Sequence, residues 1–224
     1  MLRALGDLLL PRRCGGCLAP VLGDGLWLCP ACRAEISTLA LPDAGWSRPA
    51  PGVLAVAGFA YGGALAAAIR RAKTPGGHGL APTLAVLLWE RFGVGPAELP
   101  AVRTWVPSVP ARARSRAVEL PRVLAGPGAR PLLARRGAPP DQAGLAPARR
   151  RTAPFGTFVA RGAVPPVVAL VDDVRTTGAT ALALAAAGAV RVLVLTLAAG
   201  GLDPLAAVSR RRAGPAGSPP GTAR

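Results

Sequence analysis

The sequence predicts an α/β fold, a mostly parallel sheet flanked by helices, with a small four-cysteine module ahead of it. Three observations carry this. Val167-Val168-Ala169-Leu170-Val171 is an unbroken apolar run rich in β-branched valine, the pattern of a strand covered on both faces. It leads into Asp172-Asp173, a loop of small residues and an Ala-rich helix former, a strand-turn-helix order. All four cysteines, Cys14, Cys17, Cys29 and Cys32, lie near the N-terminal end, and a Pro- and Gly-rich stretch follows them.

The remaining elements follow in order. With 224 residues, 51% of them hydrophobic, the chain accommodates one medium domain, a real core and a small module. Residues 1–13 form an apolar and basic lead, and the module runs to residue 40. Residues 41–52, with Pro42, Gly45, Pro49, Pro51 and Gly52, read as a linker. The main domain is expected over 53–204. It opens with a strand over 53–61, a Gly62-Gly63 turn and a helix over 64–71. Lys73 and His78 flank a Thr74-Pro75-Gly76-Gly77 turn, and a helix is expected over 80–92. A strand over 102–106 ends at Pro107-Ser108-Val109-Pro110, and a helical run is expected over 117–124. Residues 130–136 read as a short strand or helix. The long basic segment holding Asp141-Gln142-Ala143-Gly144-Leu145 and Arg149-Arg150-Arg151 reads as a mobile lid. The last elements are a helix over 180–187 and a strand over 190–197. Residues 205–224 read as a disordered basic tail.

The formal charge is +16, and Lys73 is the only lysine among 27 basic residues. Such an Arg-rich, Ala-rich composition reflects codon bias in part, yet the surface still attracts phosphate, nucleotide or nucleic acid. Leu8 to Leu10 is far too short for a signal-peptide core. The apolar span 179–202 is long enough to cross a bilayer, but Gly188 and Arg191 interrupt it, so a cytoplasmic protein with no membrane span is expected.

Two sites stand out. Residues 176–180 offer backbone N–H groups at a helix N-terminus, which suit an anion, and Asp172 and Asp173 suit hydroxyls or a divalent cation. The plainer reading is a strand-turn-helix whose Asp residues cap the helix. The pairs Cys14-Gly15-Gly16-Cys17 and Cys29-Pro30-Ala31-Cys32 stand eleven residues apart. Each makes a knuckle aiming two thiolates at one point, and four thiolates fill a tetrahedral, structural Zn²⁺ shell. Gly15 and Gly16 permit the turn, and Trp27 and Leu28 are expected to pack over the metal. The alternative, two disulfides, belongs to an oxidising compartment.

The segment from Val167 to Thr180 resembles the phosphoribosyl pyrophosphate signature of type I phosphoribosyltransferases. The resemblance implies that fold for the main domain. It implies that Asp172 and Asp173 bind the ribose hydroxyls, with Val174, Arg175, Thr176, Thr177, Gly178, Ala179 and Thr180 completing the site around the 5-phosphate. Taken with the four-Cys module, Leu9-Leu10-Pro11-Arg12-Arg13-Cys14, Tyr61-Gly62-Gly63, Trp105-Val106-Pro107-Ser108 and Asp141 to Leu145, residues 1 to about 200 resemble the ComF/GntX family. That family is phosphoribosyltransferase-like and associated with natural competence and DNA uptake. Two stretches depart from its pattern: Arg114-Ser115-Arg116-Ala117-Val118 stands where an Arg-Gly motif is usual, and Thr152-Ala153 where an Arg-Asn pair is. The departures bear on turnover more than on phosphate binding.

The implied reaction transfers phosphoribosyl to a nitrogen nucleophile, with Mg²⁺ between the ribose hydroxyls and the pyrophosphate. Lys73, Arg112, Arg114 and Arg116 are candidates to neutralise the pyrophosphate, against the plainer reading of a solvated basic face. Asp172 and Asp173 are the candidate catalytic carboxylates beside the sugar. His78 reads as an exposed turn residue. Two other functions are open: a non-catalytic competence factor binding single-stranded DNA or its machinery, which fits the charge, and a nucleotide sensor, which the resemblance allows. The scarcity of Phe, Trp and Tyr argues against a base-stacking platform.

Overall fold

Two apolar runs form the longest strands of the sheet, because each is buried on both faces and pairs along its whole length. In the computed structural model, which describes residues 12–21, 26–42, 46–99, 102–108, 118–135, 158–175 and 179–200, these are β8, Val167–Arg175, and β9, Arg191–Ala199. They pair in parallel from Val167 opposite Arg191 to Arg175 opposite Ala199. On the other side of β9 lies β4, Val53–Ala60, also parallel; beyond β8 lies β5, Val102–Trp105, parallel again. One antiparallel strand, β3 (Ser47–Ala50), borders β4, so the sheet order is β3-β4-β9-β8-β5.

Side chains alternate between the two faces of this sheet. Val171, Leu195 and Leu197 share one core with α2 (Gly63–Ala72), α3 (Leu80–Phe92) and α4 (Leu120–Ala125). Val168, Leu170, Val192 and Val194 share the other with Ala181 and Leu184 of α5 (Ala179–Ala186) and with Leu133. Helices on both faces of a mostly parallel sheet are what the alternation of segments requires. Leu133–Arg135 (β6) and Phe158–Ala160 (β7) form a separate antiparallel pair. Among the described residues no helix is long and apolar enough to cross a membrane.

The cysteine module comprises a minimal pair, β1 (Arg12–Arg13) with β2 (Pro20–Val21), and α1 (Pro30–Thr38), which Cys29 caps. Its buried residues Cys14, Val21, Leu28, Cys32 and Ile36 belong to the same core as Val56, Leu65 and Leu84. The chain leaving α1 is stitched to the sheet: the Leu41 N–H donates to Gly58 O at 3.0 Å, and the Ala60 N–H to Leu39 O at 2.8 Å.

Three boundaries differ from the sequence expectation. The stretch read as a linker supplies β3, because an exposed antiparallel edge tolerates Pro49 where a central strand would not. β8 does not stop at Val171 but carries both acids within it, since β9 is long enough to keep pairing through Val174 and Arg175. The helix expected over 117–124 is the shorter α4. The lid segment and the basic tail lie outside the described residues.

Candidate ligand site and metal centre

The candidate metal centre is built from two knuckles and a helix start. The four cysteine sulfurs lie within 4.8 Å of one another, and all four thiols are free. A tetrahedron with Zn–S bonds of about 2.3 Å has sulfurs about 3.8 Å apart; Cys17 Sγ and Cys29 Sγ stand at 3.7 Å. Backbone donors converge on the sulfurs: the Cys29 N–H donates to Cys14 Sγ at 3.3 Å, and the Cys32 N–H to Cys29 Sγ at 3.5 Å. Burial raises the Cys14 thiol, but N–H donors from Cys17, Cys29 and Gly16 outweigh it and bring it down to about 6. Burial, then the neighbouring sulfurs, push Cys32 up. Four sulfurs gathered this closely can hold a metal ion, and the all-sulfur donor set suits Zn²⁺. Leu28 is buried in the same core as Cys14 and Cys32, and the Trp27 and His78 ring centres lie 6.3 Å apart. His78 itself is exposed.

The second site lies near the carboxyl ends of the parallel strands. Asp172 pairs with Thr196 of β9, three residues before both strands end in register at Arg175 and Ala199. Alternation sends the two acids to different surroundings. Asp173 is buried, 7% exposed, and forms an ion pair with Lys73, the residue that ends α2. Asp172 Oδ1 accepts the Asp173 N–H at 2.8 Å. Burial, then the charge of Asp173, hold the Asp172 carboxyl well above the usual carboxylate range, against the opposing pull of Lys73 and Arg135. Near the end of one strand, Asp173 is thus paired with Lys73 while Asp172 feels the charges of Lys73 and Arg135.

Of the residues singled out in the sequence, Asp172, Asp173 and Lys73 come together. Val174 packs at the edge of the core, and the Arg175 guanidinium donates to Ser47 Oγ at 2.8 Å, its pKa lowered by burial. Ala179 and Thr180 open α5. Thr176, Thr177, Gly178, Arg112, Arg114 and Arg116 lie outside the described residues. Arg135 is the residue that sequence reasoning missed. It sits on β6 with its guanidinium 5.0 Å from the Phe158 ring centre, and its charge reaches Asp172. No local pattern marks it, because its neighbours are brought in from β7 and β8.

No family model and no curated protein matches the chain.

Proposed function

We propose that this chain is a phosphoribosyltransferase-type protein of the ComF/GntX kind, which binds phosphoribosyl pyrophosphate where β8 runs into α5. The carrying observation is the acid pair at the carboxyl end of a parallel strand, followed by Thr176-Thr177-Gly178 and a helix start. Open parallel sheets bind ligands beyond the carboxyl ends of their strands, and helix N-termini favour phosphate. Asp172 and Asp173 hold the ribose hydroxyls and would hold Mg²⁺, whose charge would offset the burial and the Asp173 charge that raise Asp172 and would screen the pyrophosphate. In the transfer, a nitrogen nucleophile forms a bond to the anomeric carbon as the carbon–oxygen bond to pyrophosphate breaks. Lys73, released from Asp173, and the arginines Arg112, Arg114 and Arg116 neutralise the departing anion. The four-cysteine centre holds a structural Zn²⁺.

Release of pyrophosphate from phosphoribosyl pyrophosphate and Mg²⁺, measured with and without a panel of nitrogen heterocycles, tests the transfer. Acceptor-dependent release that is lost in Asp172→Asn/Asp173→Asn supports it. Binding without release under every acceptor leaves a nucleotide sensor instead.

The net charge of +16 favours a second reading, a non-catalytic competence factor that contacts single-stranded DNA through its phosphates. That reading predicts DNA binding whose affinity falls steeply with salt and is indifferent to the two Asn substitutions.

A further inference from the structure

The loop that carries Lys73 is anchored at both ends to the cysteine module. On its N-terminal side, the Arg71 guanidinium donates to two carbonyls of the first knuckle, Gly15 O and, at 2.7 Å, Gly16 O. On its C-terminal side, Gly79 packs so closely under the Trp27 ring that a Cβ there would stand 2.2 Å from it. Leu80 lies against Gly15 just as tightly, and the Trp27 N–H donates to Thr83 Oγ1 at 3.1 Å. The far end of α2 is held from the module as well, because Glu35 Oε1 accepts the Ala64 N–H at 2.9 Å. Lys73 sits between these anchors, two residues beyond Arg71, with its ammonium on Asp173.

We propose that the four-cysteine centre positions Lys73 on Asp173 through Arg71, so that metal occupancy governs whether this carboxylate is paired. A metal bound by Cys14 and Cys17 fixes the backbone between them, and the Gly15 and Gly16 carbonyls then face Arg71 together. Without the metal the knuckle loses the tether between its sulfurs, Arg71's hold on its two acceptors loosens, and the end of α2 shifts from β8. Arg71 is thus a positioning residue, acting on Asp173 only through Lys73. The use of that carboxylate for ribose rests on the function proposed above; the coupling itself does not.

Lys73 is the only lysine of the chain, so full-length, zinc-loaded protein labelled with ¹³C-lysine gives one side-chain signal. The Asp173→Asn variant supplies its unpaired position. Stripping the metal with a chelator moves the wild-type signal towards that position. It also speeds acylation of the Lys73 amine by up to about fivefold, the most a partly exposed ion pair withholds. Arg71→Met, with metal still bound, does the same; Arg71→Gln serves if the Met variant does not fold. Leu184→Ala, which loosens the opposite core, leaves the signal in place. An unchanged signal and acylation rate in a folded, metal-bound Arg71 variant overturns the proposal, as does an equal shift in Leu184→Ala. None of these readouts requires phosphoribosyl pyrophosphate, so failure to bind that ligand is a separate result.

Discussion

Asp172 and Asp173 are adjacent in sequence yet differ in what they cost the fold. Burial and the charge of Asp173 raise Asp172 above its ordinary value of 3.8, so the folded chain keeps a proton that the unfolded chain has released. The folded state then binds more protons, and stability falls as pH rises from that ordinary value through the raised one. Asp172→Asn keeps the acceptor for the Asp173 N–H and removes the titration. Its melting temperature is expected to exceed that of the wild type at neutral pH, with the margin closing towards pH 4 (thermal denaturation across that range checks this). Lys73→Met acts in the opposite sense, because it leaves the buried Asp173 without its ion-pair partner. The expected cost is about 1–3 kcal/mol by chemical denaturation.

At the scale of the elements, close approach between α3 and the cysteine module sets the tolerance to substitution. Gly79→Ala brings a methyl against the Trp27 ring and is expected to cost about 1–3 kcal/mol, read as a lower denaturation midpoint. The elements themselves were legible where an apolar run is long. Val167 to Val171 and the helix Leu80–Phe92 stand out by composition and period alone. Their ends were less legible. Asp172 and Asp173 look like a strand terminus, but the length of β9 decides where β8 stops. Pro49 looks like a linker residue, but a vacant antiparallel edge beside β4 accepts it. The carboxylates and cysteines could be found in sequence because each group is local. Arg135 and Arg71 could not, since their partners lie on segments far along the chain.

For the whole molecule, the consequence is that the four-cysteine module and the sheet share one core. Cys14, Cys32 and Ile36 are buried with Leu65, Leu84 and Leu195, and Arg71 and Glu35 tie the two parts by hydrogen bonds. Chelation is therefore expected to lower one cooperative melting transition for the entire chain, the lost metal-binding energy being lost folding energy. Two separate transitions in calorimetry, only one of them metal-sensitive, would show the module to fold on its own. The most direct test of the proposed ligand site is calorimetric titration of zinc-loaded protein with phosphoribosyl pyrophosphate and Mg²⁺, with Asp172→Asn/Asp173→Asn alongside. Saturable binding is expected in the wild type, and its loss in the double variant. Heat of binding that is equal in both proteins, or absent from the wild type, would contradict the proposed site.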